Sequence, residues 1–393
     1  MEQLVGNASS IGIDEAYCYF QHNLLSSMLA LYGDDIPKSM LKEHYRCHPK
    51  IIQFCNQKYY SGALITFTTE TDGDDPLLIY RTTPGNHLRE VTQGNNKGKF
   101  NQRELDVIEN EILAGLEEVA VGYTDIGVVT PYRKQVEKAL QQFSENIETD
   151  TIHKYQGREK PIMIMSTVLD QTRSGKTGFK FVNDPCKINV AVSRAEKKFI
   201  LVTDHALFRR YGNEVGDLTR YMEYSTLDEN VVESEIVSIF DLLYQEYSDK
   251  LRAFKERAKR VRVSKFESEN LMQALLEDIL QEPAYRGFTL GNQVLLMNLF
   301  LDVDRLEEQE RRYIKNRASV DFVIYHKLDK TAALSIEVDG FAYHEDKPEQ
   351  HRRDEMKDII FSKYGLQLKR FATHESAEER KIREILDAIV QSS

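Results

Sequence analysis

Ile126-Gly127-Val128-Val129-Thr130-Pro131-Tyr132 is followed by Val136, Ala139, Leu140 and Phe143 at helical spacing. A short apolar run of this kind makes a buried parallel strand. The residues after it lay one apolar stripe along a helix. The same alternation extends outward in both directions. Leu77 to Tyr80, Ile162 to Thr167 and Phe199 to Thr203 are further apolar runs, and Leu105, Ile108, Ile112 and Leu116 recur at helical spacing. From about Leu77 to Asp204 the chain therefore predicts an α/β fold, a parallel sheet covered by helices on both faces.

A smaller α/β unit is expected from about Phe266. Leu271, Ala274, Leu275 and Ile279 give an amphipathic helix; Val320 to Tyr325 and Ala333 to Val338 read as neighbouring strands. Asp354 to Tyr364 reads as a helix stopped by Gly365, and Leu366 to Phe371 as a last strand. Between the units, residues from about Asn230 to Lys265 read as helical and polar. They end in a basic run of Arg252, Lys255, Arg257, Lys259, Arg260, Arg262 and Lys265. That run is either a solvated helix face or an arm that contacts phosphates. The expected division is 1–212, a linker 213–265, and 266–393.

The 393 residues are 41% hydrophobic and suffice for two domains. A net charge of -11 excludes uniform coating by nucleic acid and requires local basic patches for any such binding. Four scattered cysteines (Cys18, Cys47, Cys55, Cys186) form no disulfide framework and fit a reducing cytoplasm. His44, Cys47, His48 and Cys55 do not complete a zinc knuckle. No apolar run reaches bilayer length and no signal peptide opens the chain, so a membrane is not an expected partner.

His44-Tyr45-Arg46-Cys47-His48-Pro49, Thr130-Pro131-Tyr132 with Gln135, Thr151 to Glu159 ending Gln156-Gly157-Arg158-Glu159, and Asn189-Val190-Ala191-Val192-Ser193-Arg194-Ala195 follow one another in order. In that order they resemble the motifs of the second RecA-like lobe of Upf-type superfamily 1 helicases. The resemblance implies that Arg46 contacts the γ-phosphate of ATP and that Tyr45 lies against the base. It places Gln156, Gly157 and Glu159 at the nucleotide, with Glu159 near the sugar. Thr130, Tyr132, Gln135 and Thr151 would then touch the nucleic-acid backbone. Arg194 would act like an arginine finger that stabilises charge on the transferring phosphoryl group.

No Gly-x-x-x-x-Gly-Lys-Ser/Thr loop occurs in the sequence, and no apolar strand ending in Asp-Glu precedes Tyr45. Gln3-Leu4 matches the tail of a preceding motif. The expectation is that ATP is used only with a first RecA-like lobe, in a longer chain or a separate subunit, and that the chain alone does not hydrolyse it.

Along Leu334 to Asp339, period-two geometry sets Glu337 and Asp339 on one strand face, and a hairpin could bring Asp321 beside them. Converging carboxylates disfavour one another's ionisation without a cation and supply the hard oxygens that Mg²⁺ prefers. Asp321, then Glu337-x-Asp339-Gly340 and His344, resembles the PD-(D/E)XK nucleases, in the branch related to very-short-patch repair endonucleases. The resemblance implies Asp321, Glu337, Asp339 and Glu269 as metal ligands and His344 in proton transfer or phosphate contact. Asp339 stands where that superfamily's lysine sits. Lys369-Arg370 could contact phosphates or serve solubility alone.

The leading expectation is the C-terminal part of a helicase-nuclease acting on DNA or RNA, with DNA favoured; by analogy of architecture, DNA repair or phage defence would suit that pairing. The alternatives are an ATP-independent Mg²⁺ nuclease with a RecA-like binding module, and a non-enzymatic subunit that completes another chain's ATP site.

Overall fold

The computed structural model describes residues 14–18, 21–37, 39–71, 73–85, 87–92, 97–211, 213–244, 264, 266–339 and 348–392. Residues 1–44 with 63–67 form one compact unit, and 45–62 with 68–393 another. In the first, helix α1 (Leu24–Tyr32) opens with a reciprocal cap: Ser26 N donates to Asn23 Oδ1 at 2.8 Å and Asn23 N to Ser26 Oγ at 2.9 Å. Strands β1 (Glu43–His44) and β2 (Ile65–Thr66) pair in parallel.

The second unit begins with α2 (Pro49–Tyr59), started by a proline at its first turn. There follow β3 (Leu77–Arg81), the hairpin of β4 (Leu88–Val91) and β5 (Gly98–Asn101), α3 (Gln102–Val107), β6 (Ile126–Thr130), α4 (Arg133–Gln142), β7 (Glu148–Thr151) and β8 (Lys160–Ser166). Then come α5 (Arg173–Val182), α6 (Pro185–Ser193), β9 (Ala195–Thr203), α7 (His205–Tyr211), α8 (Asn213–Thr226) and β10 (Val231–Glu233). The sheet runs β10-β3-β9-β8-β6-β7, every pair parallel. All of β6 is buried. Ile162, Ile164, Ile200 and Val202 pack with Leu105, Ile108 and Ile112 on one face. Met163, Met165, Phe199 and Leu201, pointing the other way, are equally buried. The RecA-like α/β architecture is as the sequence predicts. The helix after α3 continues through a π-helical stretch, Ile108–Leu113.

Residues 213–244, expected within a linker, hold regular structure. In α8, Val215, Leu218 and Met222 are buried, and the helix packs on β3. Val231-Val232, β-branched and suited to extended backbone, leads the edge strand beside Ile79–Arg81. Arg81 fastens both elements, donating to Glu223 at 2.6 Å and to Glu233 at 2.8 Å. The basic run from Arg252 to Arg262, with Lys265, lies outside the described residues.

The C-terminal domain comprises α9 (Glu267–Leu280), β11 (Phe288–Leu295), α10 (Glu308–Lys315), β12 (Ser319–His326), β13 (Ala332–Asp339), α11 (Pro348–Tyr364), β14 (Leu368–Ala372) and α12 (Glu378–Ser392). Its sheet order is β11-β12-β13-β14, antiparallel except for the β13–β14 pair. One apolar cluster joins α9 and α12 to Phe322, Ile324, Leu334, Ile336 and Phe371; another joins Ile360 and Phe361 of α11 to Val320 and Val323.

The RecA-like domain and the C-terminal domain meet at Arg103, in the first turn of α3. Its guanidinium is fully buried. It donates to Ser376 Oγ at 2.7 Å, Thr83 Oγ1 at 2.6 Å, the Ile236 carbonyl at 3.0 Å and both oxygens of Asp241 at 3.0 Å. Removing one partner of a buried ion pair strands the other charge and costs about 3–5 kcal/mol. Arg103→Ala should lower unfolding free energy by that order in chemical denaturation, and Asp241→Asn, which leaves a neutral acceptor, should cost less.

Candidate nucleotide half-site and carboxylate cluster

Lys160 and Ala195 pair at the entering ends of β8 and β9. Glu159 and Arg194, the residues just before them, are therefore neighbours, and Lys160 N donates to the Arg194 carbonyl at 3.1 Å. The Tyr45–His48 segment lies along the same edge because α2 packs on α6. His48 N donates to the Glu196 carbonyl at 2.7 Å, and Cys47 Sγ to that of Ser193 at 3.3 Å. Arg46 forms an ion pair with Glu159. Residues far apart in sequence thus bring Arg46, Glu159 and Arg194 together, as the motif order implies. Tyr45 beside them is 65% exposed.

The electrostatics of this edge are unbalanced. Burial, and then the charge of Arg46, lowers the proton affinity of Arg194. The Arg194 Nε is buried, and no acceptor among the described residues reaches it. Burial pushes the adjacent Cys47 thiol up to about 12, so it is a neutral packing group. Gly157 turns the preceding loop at φ 91°, a conformation that disfavours a side chain; Gln156 next to it is exposed.

The expected nucleic-acid residues sit at the other ends of the strands. Thr130 and Thr151 are paired at the leaving ends of β6 and β7, and both are buried. The Tyr132 ring lies 5.1 Å from that of Phe181. Gln135 lies inside the fold. Its amide is buried and serves the fold, accepting from Asn101 N at 2.8 Å and donating to the Asn101 carbonyl at 3.2 Å and Ser166 Oγ at 3.0 Å. Glu104, which sequence reasoning did not single out, closes the end of β8. It accepts from Ser166 Oγ at 2.5 Å, Thr167 Oγ1 at 3.0 Å and Val168 N at 2.8 Å. Burial raises its carboxyl to about 8 despite these donors. An acid in the first turn of an amphipathic helix carries no signal of such a role.

In the C-terminal domain the β12–β13 register pairs Phe322 with Ile336, which makes Asp321 and Glu337 cross-strand neighbours. Val338 N donates to Asp321 Oδ2 at 2.9 Å. Gln293 Nε2 bridges Glu269 at 2.9 Å and Asp321 at 3.3 Å. Burial raises Asp321 to about 6, with Glu269 and Glu337 adding to the rise. Glu337 is buried, accepts from Arg370 Nε at 3.1 Å and is ion-paired with Lys357 of α11.

The expected metal cage is corrected in part. Among the described residues no three His, Cys, Asp or Glu side chains are arranged to hold a metal ion. The physical reason lies in Glu337, whose oxygens face Lys357 and Arg370. Asp339 ends β13 half-exposed, its carbonyl accepting from Thr373 N at 2.9 Å. Gly340 and His344 lie outside the described residues. Lys369 is half-exposed on β14, its ammonium 5.9 Å from the Phe371 ring centroid. Lys357 was not legible as a site residue, because it comes from a helix distant from any strand motif.

Residues 20–206 match a family described as "AAA domain", and residues 266–389 a family described as "Protein of unknown function (DUF2726)". The chain is 26% identical over 222 residues to the DNA polymerase alpha-associated DNA helicase A of Saccharomyces cerevisiae, covering 49% of this chain and 32% of that protein. It is 28% identical over 211 residues to a regulator of nonsense transcripts 1 homolog of Arabidopsis thaliana, 48% of this chain and 16% of that one. It is 27% identical over 182 residues to the Arabidopsis DNA replication ATP-dependent helicase/nuclease JHS1, 42% and 14% respectively. The matched segment spans less than a third of the length of these relatives. Among the described residues no helix is long and apolar enough to cross a membrane. In its parallel sheet, its motif order and its sequence, the first part of the chain is thus similar to the RecA-like domain of these helicases, and a smaller α/β domain follows.

Proposed function

We propose that this chain supplies the second lobe of an ATP-driven nucleic-acid motor and carries a Mg²⁺-dependent nuclease domain behind it. The observation that supports the motor reading is the convergence of Arg46, Glu159 and Arg194 at one sheet edge. ATP with its Mg²⁺ would be held by a first RecA-like lobe. From this side Arg194 and Arg46 would meet the γ-phosphate, Glu159 would orient Arg46, and Tyr45 would cover the base. The Arg194 Nε without an acceptor suits that role. Two of the relatives are named as DNA enzymes, one of them a helicase/nuclease, and by that likeness DNA is the favoured substrate.

In the second domain, Asp321 and Glu337 with Glu269 offer hard oxygens on neighbouring elements. This donor set fits a Mg²⁺ that takes two carboxylates and keeps waters for a substrate phosphate. When bound, the ion would activate water and stabilise the phosphate in phosphodiester hydrolysis. Lys357 and Arg370 pair with Glu337 and would place positive charge where a phosphate would arrive.

In a motor reconstituted with a first lobe, Arg194→Ala should lower steady-state ATP turnover by on the order of 10³-fold or more. An unchanged turnover number overturns the half-site assignment.

Asp321 gives a second expectation. Its folded pKa of about 6 exceeds the ordinary 3.8, so between those values the folded state binds more protons than the unfolded. Stability from this group is full below about pH 4 and is lost as pH rises through 6. Asp321→Asn should therefore raise unfolding free energy at pH 7.5 by about 1–2 kcal/mol and flatten the pH 4–6 slope, while abolishing Mg²⁺-dependent cleavage. Cleavage that survives Asp321→Asn and EDTA sinks the nuclease assignment.

A further inference from the structure

Helix α5 was not singled out by any sequence motif. Its residues Arg173, Lys176, Thr177, Lys180 and Phe181 recur at positions i, i+3, i+4, i+7 and i+8, and all of them are exposed. One face of the helix is therefore a stripe of cations ending in an aromatic ring. This stripe stands on a protein of net charge -11, where neighbouring basic residues are neutralised. Lys99 faces Glu90 at 3.5 Å, and Lys134 faces Glu137 at 3.0 Å. Arg173, Lys176 and Lys180 form no ion pair among the described residues.

The opposite face of α5 explains why the stripe is where it is. Gly175 and Gly178 let the helix seat directly on the chain that leaves β6 and β8. A Cβ at Gly175 would come within 2.0 Å of the Asp170 carbonyl oxygen, and one at Gly178 within 2.4 Å of the Tyr132 hydroxyl. Asp170 fixes the helix start, accepting from Thr172 N at 3.0 Å and, across to the β4 strand, from His87 N at 3.0 Å and Leu88 N at 2.9 Å. Phe181 is 45% exposed and tilted 42° against Tyr132. The Lys187 ammonium, 3.2 Å from the Phe181 ring centroid and bonded to the Phe181 carbonyl at 2.7 Å, holds the ring in place.

We infer that the outward face of α5 is a binding surface for single-stranded nucleic acid, with phosphates on Arg173, Lys176 and Lys180 and a base against Phe181. Exposed cations along one helix face supply the sequence-independent phosphate attraction. An aromatic edge adds stacking that every base can make. The inference rests on the helicase-type nucleic-acid reading and assigns to it a surface outside the expected motif residues, three of which are buried.

The test uses the full chain and fluorescein-labelled oligo(dT) and oligo(U), with fluorescence anisotropy over a salt series. The variants are Arg173→Gln/Lys176→Gln/Lys180→Gln, Phe181→Ala, and a control that removes the same charge elsewhere, Lys197→Gln/Arg209→Gln/Arg286→Gln. Circular dichroism melts confirm folding, since every substituted side chain is exposed. The α5 triple variant should flatten the slope of log Kobs against log salt by about 2, at roughly 0.7 per lost phosphate contact. Phe181→Ala should weaken binding about tenfold with the slope unchanged. Wild-type binding whose slope survives the triple variant, or falls equally in the control, overturns the α5 surface while leaving the helicase-type reading in place. Wild-type protein that binds neither strand overturns that reading as well. The two probes separate a DNA-preferring surface from an RNA-preferring one, and either preference supports the inference.

Discussion

A guanidinium taken wholly out of water must have its donors satisfied, and Arg103 sets that constraint on this fold. Each of its five N–H groups finds an oxygen, from Thr83, Ile236, Asp241 and Ser376. These residues belong to the loop after β3, the segment after β10 and the turn before α12. The charge is stable only when all three are in place, so the RecA-like domain and the C-terminal domain share one buried junction. The next residue, Glu104, faces the other way and holds the end of β8. Two successive charged residues in one helical turn thus tie the leaving edge of the parallel sheet to the domain behind it. Glu378 completes the junction: buried, and raised to about 8 by that burial, it accepts from Ser238 Oγ at 2.8 Å.

The sheet divides its work between two edges. Loops entering β8 and β9 carry Glu159 and Arg194, and the packing of α2 on α6 adds Arg46. Loops leaving β6, β7 and β8 carry threonines, the Tyr132 ring and the glycine-seated α5. The Thr151–Lys160 segment begins at one edge and ends at the other, because β7 and β8 both run parallel to β6. A movement of that segment would therefore be felt at both edges.

The legible parts of the fold are those where one physical demand dominates. The inner strands β6, β8 and β9 are legible through the apolar runs Ile126–Val129, Ile162–Met165 and Phe199–Val202, which are buried on both faces. β7, Glu148 to Thr151, is an edge strand of mostly polar residues and carries no such signal; β10 is only three residues long. In the site, Arg46, Glu159 and Arg194 were legible because motif order encodes a spatial arrangement that strand register enforces. The contact of Gln135 with Asn101 was not legible, because a polar residue after a strand is equally suited to capping the backbone of β5 as to meeting a ligand. Lys357 was invisible because its partner, Glu337, is a tertiary contact between a helix and a strand. Asp339 was placed correctly on the strand, but alternation gives only a face, not convergence on a point.

The two candidate sites have opposite electrical character. At the entering edge, Arg46 is ion-paired with Glu159, and the Arg194 Nε has no acceptor among the described residues. An unmet buried donor of this kind costs about 1–3 kcal/mol, a cost that a polyphosphate oxygen would remove. At the β12–β13 site, Glu269 and Glu337 both add to the rise of Asp321, while Lys357 and Arg370 are paired directly with Glu337. Asp321 is left with a raised pKa, which a divalent cation would reverse. Each site is thus incomplete in the sense that fits a different ligand, an anion at the first and a cation at the second. That contrast follows from charge and burial alone: a buried donor lacks an acceptor at the first site, and a buried carboxyl is held above its usual range at the second.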